Sequence, residues 1–337
     1  MALELLRDKR ATGCQTTITD GLYGLKRTDV EIRDEQIAQM IGKPVGRYYT
    51  IEIETPYKRA PQIRDYAAEA VAAALSDALN NGQVKECHSE RSEESPPIQR
   101  TGIDGKTDHC PLSIDRYPLN KSPVLVACLG NRSMSADALG PFTMEKLIVT
   151  RHLTNAASET AKKPETEKRG FGNLCALAPG VLGITGIETF DVLAALVRQI
   201  RPRAVIAADT LASNGTGRLA SAFQIADSGI TPGAGVGNRR LRLSRETLGV
   251  PVIAIGVPLV VYASTIAGEV LSEAFNGRQR KSRAAAERSA VRLLGDTVVT
   301  LKDIDIAVKD CAYILALAIN MAVHGLTARE AAGLMSY

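Results

Sequence analysis

Two aspartates, Asp137 and Asp209, carry the chemistry that this sequence offers. Asp209 lies in Arg203–Ser213, where Val205, Ile206, Ala207 and Ala208 form a short apolar run suited to a strand buried on both faces. A polar, glycine-containing loop, Ser213-Asn214-Gly215-Thr216-Gly217, follows. In α/β sheets, ligands and chemistry collect beyond the carboxyl ends of the strands. Asp137 stands one loop after another apolar strand, Pro123–Leu129. If the two strands run parallel, both loops emerge at one edge and two carboxylates share a cleft. Close carboxylates cannot both ionise cheaply, so they share a proton. One then acts as general base on a water and the other as general acid, the arrangement an aspartic peptidase needs. Each residue also has a plainer reading. Asp209 could cap a turn with its own side chain, and Asp137 could be the N-cap of the helix it precedes, a place that can still be catalytic.

Two glycine-rich turns stand nearby in the chain. In Gly180–Gly186, with Gly183 between, and in Gly229–Asn238, with Gly233 and Gly235, backbone amides could hold a phosphate or a tetrahedral oxyanion. Neither turn matches a dinucleotide fingerprint or the Gly-Lys-Ser/Thr of a nucleotide loop, so no cofactor is expected. No Ser-His or Cys-His arrangement stands out. His152 and His324 sit on helix-like segments and read as structural or solvent-facing, and Cys128 and Cys175 read as core thiols. Cys87-His88 and His109-Cys110 could be taken for zinc ligands, but their spacing matches none of the usual patterns. No metal site is expected there. The alternatives to paired acids are a metal-dependent maturation-type endopeptidase, which would need His or Glu ligands beside the two aspartates with Glu188 and His152 the nearby candidates, and a catalytically silent binder on the same fold.

These residues need a scaffold, and the composition supplies one. The chain has 337 residues, 45% of them hydrophobic, enough for one large α/β domain. Trp is absent, aromatics are 4% and the net charge is only +4, which argues against a nucleic-acid partner. The C-terminal apolar run Cys311–Val323 is short for a membrane span, and Met1–Arg10 lacks a signal-peptide pattern, so a cytoplasmic protein is expected. Six scattered cysteines read as reduced thiols.

Residues 1–29 are polar without a sustained period and read as an arm. Thr50–Thr55 alternates as a strand, and Asp65–Leu79 has helical spacing. Residues 81–120, with a Ser/Glu/Arg run and adjacent prolines, read as a polar insertion. A helix is expected from Ala138 to Arg151. Leu174–Ala178 and Pro251–Val257 read as further strands. A capping box, Thr185 with Glu188, would open a helix to Ile200. Ser244 would cap a short helix. Gly277–Arg292 reads as a charged linker to a last helix opened by Thr300 and Asp303 and closed by Gly325.

Several segments together resemble the germination protease family of spore-forming bacteria. They are Asp137–Pro141 (DALGP), Ala178–Thr189 (APGVLGITGIET), Gly229–Asn238 (GITPGAGVGN), Leu248–Pro258 (LGVPVIAIGVP) and Arg27-Thr28-Asp29. The likeness runs from about Arg27 to Ile266 and returns in the last helix. It implies a three-layer α/β fold with helices on both faces of the sheet, similar to hydrogenase-maturation endopeptidases (phosphorylase/hydrolase-like), and a homotetramer. It implies an endopeptidase made as a zymogen in the spore core, which removes its own propeptide and then degrades small acid-soluble spore proteins on germination. By the same likeness Asp137 and Asp209 are the functional pair. The propeptide would be residues 1–29, cut between Asp29 and Val30, ahead of a single peptidase domain over 30–337. Arg132, Arg239 or Arg240 could select an acidic residue before the scissile bond. The sequence departs from the family pattern in the 81–120 insertion, in a short stretch after the Pro251 strand, in Thr231 where a His is expected and in Tyr262 where an Asp is expected.

Overall fold

The apolar runs become the centre of the sheet. Val124–Cys128 is buried at every position, and Ala204–Asp209 and Val252–Leu259 are buried without a break. Such strands need cover on both faces. The structure, a computed structural model, describes residues 14–54, 60–84, 122–153, 171–233, 241–275 and 280–335.

The strands are β1 (Cys14–Asp20), β2 (Lys26–Ile32), β3 (Gly46–Glu52), β4 (Val124–Cys128), β5 (Leu174–Leu177), β6 (Ala204–Ser213), β7 (Ala222–Ala226), β8 (Val252–Tyr262) and β9 (Val298–Thr300). The helices are α1 (Glu35–Ile41), α2 (Pro61–Val84), α3 (Leu139–Met144), α4 (Leu182–Thr185), α5 (Thr189–Ile200), α6 (Arg245–Leu248), α7 (Ala263–Phe275), α8 (Arg280–Leu294), α9 (Ile304–His324) and α10 (Ala328–Met335). The strands form one mixed sheet in the order β1-β2-β3-β7-β8-β6-β4-β5, with β9 paired to the end of β8. The half made of β8, β6, β4 and β5 is parallel. The half made of β1, β2, β3 and β7 is antiparallel and joins β8 antiparallel.

Alternate residues of the central strands feed two cores. Val124, Val126, Ile206, Ile253 and Ile255 pack under α2 and α9. Leu125, Ala127, Val205, Ala207 and Val252 pack under Leu193 and Val197 of α5, with Leu243 and Leu248. Helices therefore cover both faces. By length and composition α9 could cross a membrane, but it is the core helix of the first face.

Four expectations need correction. Residues 14–29 are not a loose arm: β1 and β2 form an edge hairpin of the sheet, with Leu25 and Thr28 buried. Its polar, Thr-rich pattern shows little period because its pairing comes from β3. The Gly277–Arg292 stretch is mostly helix α8, whose Ala, Arg and Leu residues are strong helix formers. The helix after Asp137 stops at Met144. Beyond it the chain is drawn into tertiary hydrogen bonds, Ile148 N donating to Asn320 Oδ1 (2.9 Å) and Thr150 N to Leu174 O (3.0 Å). Neither expected capping box forms. Thr185 ends α4, and Gly186, at φ 70°, separates it from α5, whose N-cap is Glu188. Thr300 belongs to β9, and Asp303 alone sits at the α9 N-cap. The Ser244 and Gly325 caps are present. Of the 81–120 insertion, residues 85–120 lie outside the described residues, with Cys87, His88, His109 and Cys110.

Candidate active site

The parallel pairing of β4 and β6 ends with Cys128 opposite Ala208, and Asp209 is the next residue of β6. Leu129 N donates to Ala208 O (2.8 Å), so the loop after β4 leaves the sheet beside Asp209. Asp209 is within β6 rather than after it, because β6 continues to Ser213 alongside β8. It is 7% exposed, and its Oδ1 accepts a hydrogen bond from Thr210 N (2.8 Å).

The loop from Gly130 to Asp137 folds back on itself. Asn131 N donates to both the carboxylate (2.9 Å) and the carbonyl (3.0 Å) of Asp137. Gly130 makes this closure possible. Its φ is 112°, and a methyl group there would lie 2.0 Å from Asp137 O. Asp137 ends a 3-10 turn, Ser135–Asp137, that lies against β6, β8 and α9. Ala138 and Leu139 plug into the core, and Gly140 rests on the backbone of Cys128 and Leu129. Pro141 falls in the first turn of α3, where a missing N–H costs no helical bond. The DALGP segment thus anchors Asp137, half-buried, at the carboxyl end of β4 while Asp209 occupies the same end of β6.

The Gly180–Gly186 turn follows β5, which runs parallel to β4, so it emerges at the same end of the sheet. Gly180 and Gly186 have φ of 78° and 70°, and Gly183 to Gly186 are exposed. The other glycine turn leaves elsewhere. β7 is antiparallel to β8, with Gln224 opposite Gly256 and Ala226 opposite Ala254. The chain therefore exits β7 toward the amino end of β8, whereas Asp209 faces Gly256. Gly229 is held there by the Ile230–Leu243 bridge. Gly233 (φ 62°) follows, and Gly235, Arg239 and Arg240 lie outside the described residues. The sheet brings Gly180, Gly183 and Gly186 to the aspartates' end, and it starts the Gly233 turn at the other.

The remaining nucleophiles, bases and cations constrain the chemistry. Burial pushes the Cys128 thiol, at the end of β4, up to about 12, so it stays protonated and is a poor nucleophile. His324 is buried on α9 between carbonyls, Nε2 2.8 Å from Ile148 O and Nδ1 3.2 Å from Gly172 O. His152 is exposed. Cys14, Cys128, Cys175 and Cys311 are free thiols. Among the described residues no three His, Cys, Asp or Glu side chains converge as a metal cage. Arg132, in the Asp137 loop, is exposed, pairs with Glu145 and lies over the Phe142 ring at 4.9 Å.

Two supports had no sequence signal because they join distant segments. Ser135 Oγ, in the Asp137 turn, donates to Asp305 at the start of α9. Glu269 of α7 accepts from Thr216 N (3.0 Å) and Thr216 Oγ1 (2.9 Å), clamping the loop that follows β6. Asp29 and Val30 are paired on both sides within β2, Asp29 with Thr17 of β1 and Tyr49 of β3. Arg27 grips Asp29 (2.8 Å) and Asp77 of α2 (2.7 Å).

Comparison with known proteins gives the family. A family model described as germination protease matches residues 116–293. A germination protease of Clostridium perfringens is 35% identical over 318 residues, covering 89% of this chain and 85% of that one. One from Caldanaerobacter subterraneus subsp. tengcongensis is 35% identical over 348 residues, covering 98% and 94%. One from Halalkalibacterium halodurans is 31% identical over 336 residues, covering 85% and 80%. The matched span includes β4, β5, β6, β7 and β8 with Asp137 and Asp209, so the chain belongs to the germination protease family and is an endopeptidase of spore germination.

Proposed function

We propose that this endopeptidase begins the breakdown of small acid-soluble spore proteins in the spore core, using Asp137 and Asp209 to activate water. The observation that carries the reading is the shared end of β4 and β6, with Asp209 one residue past the last β4–β6 pair and the Asp137 loop leaving beside it. An ionised carboxylate of the pair takes a proton from water as its oxygen attacks the peptide carbonyl. The protonated partner then gives its proton to the leaving nitrogen as the C–N bond breaks. No acyl-enzyme is formed in this scheme. Amides of Gly180–Gly186 face the developing oxyanion. The chain acts as a zymogen, with residues 1–29 as propeptide and the cut between Asp29 and Val30, and it assembles as a homotetramer without nucleic acid, membrane or cofactor. The fold kinship implied by the family likeness is with hydrogenase-maturation endopeptidases.

The test is cleavage of a purified small acid-soluble spore protein by the chain lacking residues 1–29. Asp137→Asn and Asp209→Asn should each abolish turnover, and a chelator should leave the wild type unaffected. Turnover surviving either substitution removes the paired-acid assignment, and chelator-sensitive turnover transfers the chemistry to a metal. Light scattering of the same preparation reads the oligomer.

A further inference from the structure

Helix α8 carries Arg280, Lys281, Arg283, Arg288 and Arg292 against Glu287 alone. Arg283 is neutralised by Glu287 at 2.7 Å. Arg288 and Arg292 are exposed and have no ion-pair partner among the described residues, and no acid occurs between Arg288 and Gly295. One helical turn apart, about 6 Å along the axis, they share a face. Like charges at this spacing destabilise a helix slightly, while Arg292, in the last turn, meets the negative end of the helix dipole. Ser289 and Val291 flank them and are also exposed.

The position of α8 says what such a face would meet. β8 runs directly into α7 at Ala263, and β9 returns the chain beside Val260–Tyr262. Glu269 of α7 is clamped to Thr216, in the loop that follows the Asp209 strand. The α7–α8 hairpin therefore stands at the end of the sheet that holds the aspartates. We propose that the Arg288–Arg292 face of α8 is an exosite for an acidic segment of the polypeptide being cut, which docks there while the scissile bond lies at the aspartates. The proposal rests on the aspartates' end being the cleavage site. Rim charges of this kind act on encounter and salt dependence more than on chemistry.

The experiment uses two fluorogenic peptides copying Leu25–Arg33, one extended by a run of Glu and one by a run of Ser. Arg288→Gln with Arg292→Gln should raise KM for the Glu peptide by about tenfold, from two charge contacts of about 0.7 kcal/mol each. The value of kcat and both constants for the Ser peptide should stay unchanged, and the difference should vanish at high salt. An equal change for both peptides, or none, overturns the exosite. So does loss of duplex-DNA binding in the variant with the Glu peptide unaffected, which would make the face a nucleic-acid surface. If neither peptide is cut by the wild type, the peptide core or the cleavage-site reading fails separately. Fluorescence anisotropy of the Glu peptide on the full chain then decides the exosite alone, through its loss in the same variant.

Discussion

Gly140 ties the position of Asp137 to the packing of the sheet, and replacing it with Ala tests that link. An added methyl would lie 2.1 Å from Leu129 O, 2.5 Å from Leu129 N and 2.6 Å from the Cys128 carbonyl carbon. These are backbone atoms of the buried end of β4, which cannot rotate away. Ordinary contact begins at 3.4 Å, so the first turn of α3 must retreat from β4 by about 1.3 Å. Overpacking of this kind costs about 1–3 kcal/mol. The same retreat carries Asp137, three residues earlier, away from Asp209. A displacement of about 1 Å in a catalytic group can cost on the order of 10²-fold in rate. Gly140→Ala should therefore lower both the thermal midpoint and kcat/KM, the latter by about 10²-fold. Gly183→Ala is the control. No heavy atom lies within 4 Å of its added methyl, and its backbone N–H is kept, so stability should stay within about 0.5 kcal/mol. Differential scanning calorimetry and peptide hydrolysis on the two variants read the outcome. Wild-type stability and turnover in Gly140→Ala would refute the seating of α3 on β4 and the mechanical link to Asp137.

The remaining prediction outside the site concerns pH. Burial holds the His324 imidazole below its ordinary value of 6.5, outweighing the opposite pull of the Ile148 and Gly172 carbonyls at its two ring nitrogens. The unfolded chain therefore binds a proton that the folded chain resists. The neutral ring's contribution is present in full above about pH 6.5 and is lost as pH falls below it. Urea midpoints taken from pH 8 to pH 5 should decline for the wild type, and His324→Leu should flatten that decline even though it lowers stability at every pH. An unchanged slope in the variant would mean that other groups set the acid limb.

The parallel half of the fold was legible because its strands are unbroken apolar runs. β4, β6 and β8 can be read directly from Val124–Cys128, Ala204–Ala208 and Val252–Val257, and the two aspartates follow from where those runs stop. Strand direction was not legible in the same way. Nothing in Ala222–Ala226 announces that β7 runs against β8, yet that direction sends the Gly229 turn away from Asp209. The edge hairpin was missed because β1 exposes nearly all its residues, so no buried face prints a period on it. Helix α8 was missed for a related reason: its charged residues read as a solvated run, and its packing against α7 is a contact no local pattern shows. The supports from Asp305 and Glu269 bridge 170 and 53 residues, beyond the reach of any local pattern.

The hairpin also bears on the proposed self-processing. Asp29 and Val30 sit in a strand paired on both sides, four strands from β6 in the sheet, or about 19 Å at 4.8 Å per strand. A bond in that setting cannot be presented to a water-activating pair as an extended substrate. At least one neighbour must release it first, and β1 is the edge, held only by β2. The Arg27 grip on Asp29 and Asp77 opposes release. Unzipping of β1 from β2 should therefore precede any cut at Asp29. Cys14 lies opposite Ile32 in the β1–β2 register, so Ile32→Cys alone can close a disulfide across the hairpin. Under oxidising conditions that variant should resist cutting after Asp29, and reduction should restore the cut. Both states are followed by mass spectrometry of the released fragment after reduction. Equal cutting in the oxidised and reduced states would show that the bond is reached with the hairpin intact.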